Sequence, residues 1–192
     1  MIAEPSDRGA LVKTLRLREL DADNRTPLFL YEEPFLEPSS YFEGLVASIR
    51  ADYEILREGV HTEGVALPPF LVPEAVPRDP LPRLEQAACA IERAAFLLGE
   101  PFDGVDVALV PSRVEDGAGW RESVATLSRA PLSSRVRLSI FDRPGGPLKG
   151  TLDELGAHFH VDPDELATYL RALGQGTSKG PQAPPGVAAP PR

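Results

Sequence analysis

Residues 104–111 read GVDVALVP, an apolar run that ends at a proline. In an extended chain, Val105, Val107 and Leu109 would point to one side, and Ala108 and Val110 to the other. Because both sides are apolar, the pattern predicts a central strand covered on both faces, as in parallel sheets.

Two other runs predict strands beside this one. Residues 27–34, PLFLYEEP, place four large apolar side chains before two glutamates and a proline, which is typical of a short buried strand. Residues 135–142, RVRLSIFD, alternate apolar and polar side chains. Such alternation indicates one wetter face, as at the edge of a sheet.

Helical patterns separate these runs, over residues 9–20, 39–59, 82–99 and 118–130. We expect Ser40 and Glu43 to form a capping box at the start of the second helix, and Gly59 to end it. Strands that alternate with helices predict the α/β class. The expected architecture is a small Rossmann-like or flavodoxin-like layered fold, with a mostly parallel sheet and helices on both faces.

The region 148–173 has two interpretations. The favoured one places a short strand at HFHVD, residues 158–162, followed by a last helix. The alternative is a helix-turn-helix over 151–173, spaced as in DNA-binding proteins. Residues 174–192 are rich in proline and glycine and predict a flexible tail, which leaves 1–173 as one α/β domain.

Composition and charge narrow the class of partner. The formal net charge is −9, and we see no basic cluster in the sequence, so a nucleic-acid partner is not expected. No apolar run approaches the roughly 20 residues that span a bilayer, and the N-terminus lacks a signal-peptide pattern. A cytoplasmic protein without membrane contact is therefore expected, and the excess of arginine over lysine suggests a bacterial source. The single cysteine, Cys89, excludes an internal disulfide and is expected to be packed in its helix.

The carboxyl ends of the predicted strands carry the candidate catalytic residues. Glu32, Glu33 and Asp142 would gather there, and carboxylates at that edge could bind Mg²⁺. A phosphate cradle needs glycine amides at the first strand–helix turn, and EEPFLEPSS has no glycine and three carboxylates. We therefore expect no nucleotide and no other cofactor, and a structural role for these glutamates. His158, His160 and Asp162 form a candidate metal site.

The candidate partner-binding residues are Phe70, Leu71 and Trp120. Six prolines lie between residues 60 and 82, so that segment is expected to be an ordered loop over the core. We expect Leu71 to point inward and Phe70 outward.

These features predict a non-catalytic interaction or regulatory domain, an adaptor or assembly component that binds another protein. The alternatives are a metal- or phosphate-dependent enzyme acting at the strand ends, and a DNA-binding regulator using residues 151–173. Asp162, Asp164 and Glu165 would meet DNA phosphates in the second alternative and argue against it.

Overall fold

A computed structural model describes residues 5–19, 24–71, 80–142, 146–148 and 151. The predictions for His158, His160 and Asp162 lie outside the described residues. So do the fourth strand, the helix-turn-helix alternative and the tail after residue 173.

Within those ranges the chain forms four helices and three strands. They are α1 (Pro5–Glu19), β1 (Leu28–Tyr31), α2 (Pro38–His61), α3 (Pro80–Leu97), β2 (Val105–Leu109), α4 (Gly117–Ser128) and β3 (Val136–Ile140). The strands pair in parallel in the order β1-β2-β3. The predicted α/β class with a parallel sheet is confirmed.

β2 is the central strand of the described sheet, and all five of its residues are buried. The described strands follow one another in chain order. In open α/β sheets, ligands bind where the strand order reverses, and no reversal occurs among the described strands. The finer Rossmann-like or flavodoxin-like assignment stays a prediction, because both of those folds contain such a reversal.

The main hydrophobic core lies on one face of the sheet. Side chains from β1 and β2 pack there against α2, α3 and α4. The fully buried members of greatest volume include Trp120, Tyr41, Tyr53, Phe35, Phe42, Leu45, Ile49, Ile91, Leu98 and Leu109. α1 lies against the opposite face, where Leu15 and Glu19 line a small hollow with Leu28 and Asp106.

Helix α2 begins and ends differently from the prediction. The capping box at Ser40 is wrong: Glu37 is the N-cap residue, no side chain caps the helix, and Pro38 occupies its first turn. Proline is favourable there because its fixed φ suits a helix and its missing N–H would be unpaired anyway. Gly59 lies inside the helix rather than ending it, and the left-handed glycine of this turn is Gly64, with φ of 86°.

Cys89 is exposed on α3, so the prediction of a packed thiol is wrong. Ala87, Ala90, Ile91 and Ala94 face the core. Residue 89 lies roughly half a turn from Ile91 at 3.6 residues per turn, which places it on the opposite side of the helix.

Candidate functional site

Glu32, at the carboxyl end of β1, is held by two arginines of α1. Its Oε1 atom lies 3.1 Å from Nη2 of Arg8, and its Oε2 atom lies 2.7 Å from Nη2 of Arg16. Arg8 also donates to the carbonyl oxygens of Glu32, at 3.4 Å, and Val110, at 3.3 Å. Glu32 therefore fastens α1 to the strand ends.

Glu33 and Asp142 occupy different surroundings. The Glu33 side chain is exposed, and within the described ranges no ion pair reaches it. Asp142 follows β3, and its Oδ2 atom accepts a hydrogen bond of 2.7 Å from the N–H of Leu148. Asp142 thus binds the backbone of Leu148, and β2 lies between the strand that precedes Asp142 and the strand that precedes Glu32.

Backbone pairing continues beyond the ends of β1 and β2. The N–H of Ser112 donates to the Glu32 carbonyl at 3.1 Å, and the N–H of Phe35 donates to the Arg113 carbonyl at 2.8 Å. The N–H of Glu115 then donates to the Phe35 carbonyl at 2.9 Å. These amides are the donors that could have held an anion between the two strand ends, and they are already bonded.

The N-terminus of α4, a second place where an anion could bind, is already capped by a side chain of the chain itself. Asp116 is its N-cap residue, and its Oδ1 atom accepts a hydrogen bond of 2.9 Å from the N–H of Gly119. A carboxylate at this position is favoured by the helix dipole and competes with any other anion. In the part of the chain that the structure describes, no three His, Cys, Asp or Glu side chains are grouped so that they could hold a metal ion.

Trp120, a candidate partner-binding residue, is wholly buried on the inward face of α4, so its side chain is a core anchor and is not exposed to a partner. Its ring centroid lies 4.9 Å from that of Phe35 and 5.5 Å from that of Tyr41. Tyr31 completes this aromatic cluster, at 4.9 Å from Tyr41. Burial raises the pKa of both tyrosines, so their phenols stay protonated at neutral pH and add no charge to the core.

Phe70 and Leu71 point in the directions opposite to those predicted. Phe70 is 5% exposed and belongs to the core, whereas Leu71 is 67% exposed. The expected outward Phe70 is therefore wrong, and so is the expected inward Leu71. Of the two, Leu71 is the one available to a partner.

The segment 65–71, here called the α2 strap, is fastened to α2 by three contacts. The Tyr53 hydroxyl donates to the Pro68 carbonyl at 2.8 Å, and the N–H of Phe70 donates to Oε1 of Glu54 at 2.9 Å. The rings of Tyr53 and Phe70 lie 5.1 Å apart. Phe70 is therefore the residue of the strap that covers the core, and the side chain of the adjacent Leu71 points to solvent.

Asp106 is a charged residue that the sequence reasoning passed over. It lies on the central strand and is only 6% exposed. Arg137 is its register partner on β3, and its Nη1 atom lies 3.2 Å from Oδ2 of Asp106. The sequence did contain a signal for this pair, because an aspartate within the apolar run GVDVALVP would be buried. A buried carboxylate needs a partner of opposite charge or a hydrogen-bond donor.

Replacing Glu32 tests whether its role is to hold α1 in place or to take part in catalysis. Glu32→Gln is expected to lower the free energy of unfolding by about 1 kcal/mol, since two partly exposed ion pairs are lost. The loss should shrink as salt is added, because exposed charges are screened. Urea unfolding at low and high salt measures both effects.

The matched control is Glu33→Gln, which removes the same charge one residue further on and is expected to change stability by less than about 0.5 kcal/mol. A gain in stability in Glu32→Gln would contradict the fastening role. Such a gain is typical of residues retained for function at a cost in stability.

Comparison of the chain with protein-family models, with curated proteins and with solved structures found no match. Its function must therefore be inferred from its own residues.

Proposed function

We propose that this chain is a non-catalytic interaction or regulatory domain, an adaptor or assembly component of a bacterial cytoplasmic system. Its partner would be another protein. The observation that carries the proposal is the α2 strap, which anchors Phe70 in the core and leaves Leu71 exposed beside it.

The strap has the properties of a preformed recognition element. Pro68 and Pro69 restrict its backbone, and the bonds to Tyr53 and Glu54 hold it on α2. A side chain presented by a rigid segment loses little further entropy when a partner binds. An exposed leucine alone is common on protein surfaces; its placement on a fastened, proline-stiffened segment is what favours a binding role.

The polar groups at the strand ends support the same proposal. Glu32 is paired with Arg8 and Arg16, Asp142 is bonded to the turn after β3, and Asp116 caps α4. Each of these carboxylates has a structural task, which weakens the case for the enzyme alternative. The net charge of −9 disfavours the DNA-binding alternative. Among the described helices, none combines the length and the apolar character that crossing a membrane requires.

Leu71 provides the test. A photo-crosslinking amino acid at position 71, introduced in cells of the source organism, should capture a defined protein. With that protein purified, Leu71→Ala is expected to weaken binding by about 2 kcal/mol, or roughly 30-fold in Kd, as at an interface hot spot. Isothermal titration calorimetry measures the difference.

Ile55→Ala is the matched control, because Ile55 is 69% exposed on α2 but lies outside the strap. It should leave the affinity unchanged. Equal loss in both variants, or equal crosslinking from positions 55 and 71, would indicate non-specific apolar contact and contradict the proposal.

A further inference from the structure

The inward side chains of the α2 strap recur at a spacing of three residues. Leu67 packs against the core, and Phe70 is buried within it. The other side chains from 66 to 71 are exposed, and they are Ala66, Pro68, Pro69 and Leu71. A β-strand places alternate residues on one side, so it could not turn both Leu67 and Phe70 inward. Residues 65–71 accordingly form neither helix nor strand.

A polyproline II helix accounts for this spacing, because it has about three residues in each turn. Pro68 and Pro69 hold their own φ angles at about −65°. A residue that precedes a proline is confined to extended conformations, and this applies to both Leu67 and Pro68. The backbone from Leu67 to Pro69 is therefore restricted to the polyproline II region.

The hydrogen bonds of the strap fit the same conformation. A polyproline II helix makes no hydrogen bonds within itself, so its backbone groups are available to other donors and acceptors. The Pro68 carbonyl accepts from the Tyr53 hydroxyl at 2.8 Å, and the N–H of Phe70 donates to Oε1 of Glu54 at 2.9 Å. Side chains of α2 thus hold the strap through backbone groups that this helix leaves open.

This conformation places Pro68 and Leu71 on the same side of the strap. Leu67 and Phe70 form the side that faces the core, and Pro68 and Leu71 follow them by one residue each. Both Pro68 and Leu71 are exposed. At about 3.1 Å per residue, they lie roughly 9 Å apart along the helix axis. A proline ring and a leucine side chain therefore form an apolar ridge on the surface, here called the strap ridge.

We propose that the strap ridge binds a groove lined by aromatic side chains on the partner protein. Such grooves bind polyproline II segments, because a preformed helix loses little entropy on binding. Tryptophan and tyrosine suit this groove, since each combines an apolar ring with a group that can donate to a carbonyl oxygen of the strap. The proposal rests on the function proposed above and adds the chemistry of the partner surface.

The first measurement tests the conformation in the unmodified, full-length chain. Three-bond couplings between amide and α protons, measured by NMR, report the φ angle. Leu67, Phe70 and Leu71 are expected to have φ of about −75°. Values of about −120° to −140°, as in β-strands, would overturn the proposal.

The second measurement identifies the surface that faces the ridge. The protein captured by the photo-crosslinking amino acid at position 71 is digested, and mass spectrometry locates the crosslinked residues. These are expected to be aromatic or to lie beside aromatic residues in one groove. Crosslinks confined to an aliphatic pocket would overturn the proposal and would mean that Leu71 binds as a single apolar side chain.

The third measurement compares two adjacent prolines. Pro68→Ala and Pro69→Ala each remove one ring and one restriction on φ, but only Pro68 belongs to the strap ridge. With the purified partner, Pro68→Ala is expected to raise Kd by about five-fold or more, as for an interface residue that contributes to affinity. Pro69→Ala should raise it by less than about two-fold. Equal losses would indicate that backbone stiffness alone matters and would overturn the ridge.

The outcomes separate this proposal from the function on which it rests. Weaker binding by Leu71→Ala, with unchanged binding by Pro68→Ala, would keep the partner-binding role and overturn the ridge. The absence of any defined protein captured from position 71 would overturn both.

Discussion

Phe70→Ala is expected to lower the free energy of unfolding by about 3–5 kcal/mol, the usual cost of removing a buried aromatic side chain. Phe70 is 5% exposed and packs in the main core, with its ring 5.1 Å from that of Tyr53. Its removal would also leave the strap without its apolar anchor. Equilibrium unfolding in urea, followed by the fluorescence of the single tryptophan, measures the loss.

Leu71→Ala is the matched control one residue away. Leu71 is 67% exposed, so its truncation is expected to change stability by less than about 0.5 kcal/mol. The two variants separate anchoring from recognition: Phe70→Ala should cost stability, and Leu71→Ala should cost binding. Similar stabilities for Phe70→Ala and the unmodified chain would contradict the anchoring role and, with it, the rigid presentation of Leu71.

Gly104→Ala is expected to lower the free energy of unfolding by about 3 kcal/mol, at the upper end for overpacking. An ideal Cβ at residue 104 would lie 2.2 Å from the carbonyl oxygen of Arg135 and 3.1 Å from its carbonyl carbon. The obstructing atoms are backbone atoms, and the same carbonyl accepts a 2.8 Å hydrogen bond from Val105. Relief would therefore require β2 and β3 to separate where their pairing begins.

Gly99→Ala is the control for this prediction, because a Cβ at residue 99 would meet nothing within 4 Å. It is expected to change stability by less than about 0.5 kcal/mol. Thermal unfolding of the two variants side by side measures the difference. Equal stabilities would show that β2 and β3 can shift at this point, contrary to the close approach seen in the structure.

The elements that the sequence predicted well are those with a regular period. The apolar run 104–111 led to a central, fully covered strand, and this is confirmed among the described strands. The alternation in 135–142 led to a strand, which β3 confirms, while its place at the edge of the sheet stays a prediction. Periodicity predicts these elements because side-chain directions repeat along a strand or a helix. Several residues then indicate together which face of the element is buried. The helix ends were less well predicted, because Pro38 and the backbone around Gly64 outweighed the capping signals at Ser40 and Gly59.

The candidate site was harder to predict, since its residues lie outside regular elements. Phe70 and Leu71 are adjacent in a loop, where no period says which side chain faces inward. Their orientation is set by hydrogen bonds to the hydroxyl of Tyr53 and the carboxylate of Glu54. Both of these side chains belong to α2, which precedes the loop in the chain. The structural role expected for Glu32 agrees with its contacts, but its partner Arg8 lies 24 residues away.

By itself, the sequence determined the α/β class, the parallel sheet and the central position of β2, because apolar patterning is local and repeats within each element. Only the tertiary structure decided the strand order, the fastening of α1 by Glu32, the pairing of Asp106 with Arg137, and the exposure of Leu71 in place of Phe70. Each of these depends on contacts between residues far apart in the chain. Such contacts are set by how the elements pack, and a single sequence carries no local pattern that records them.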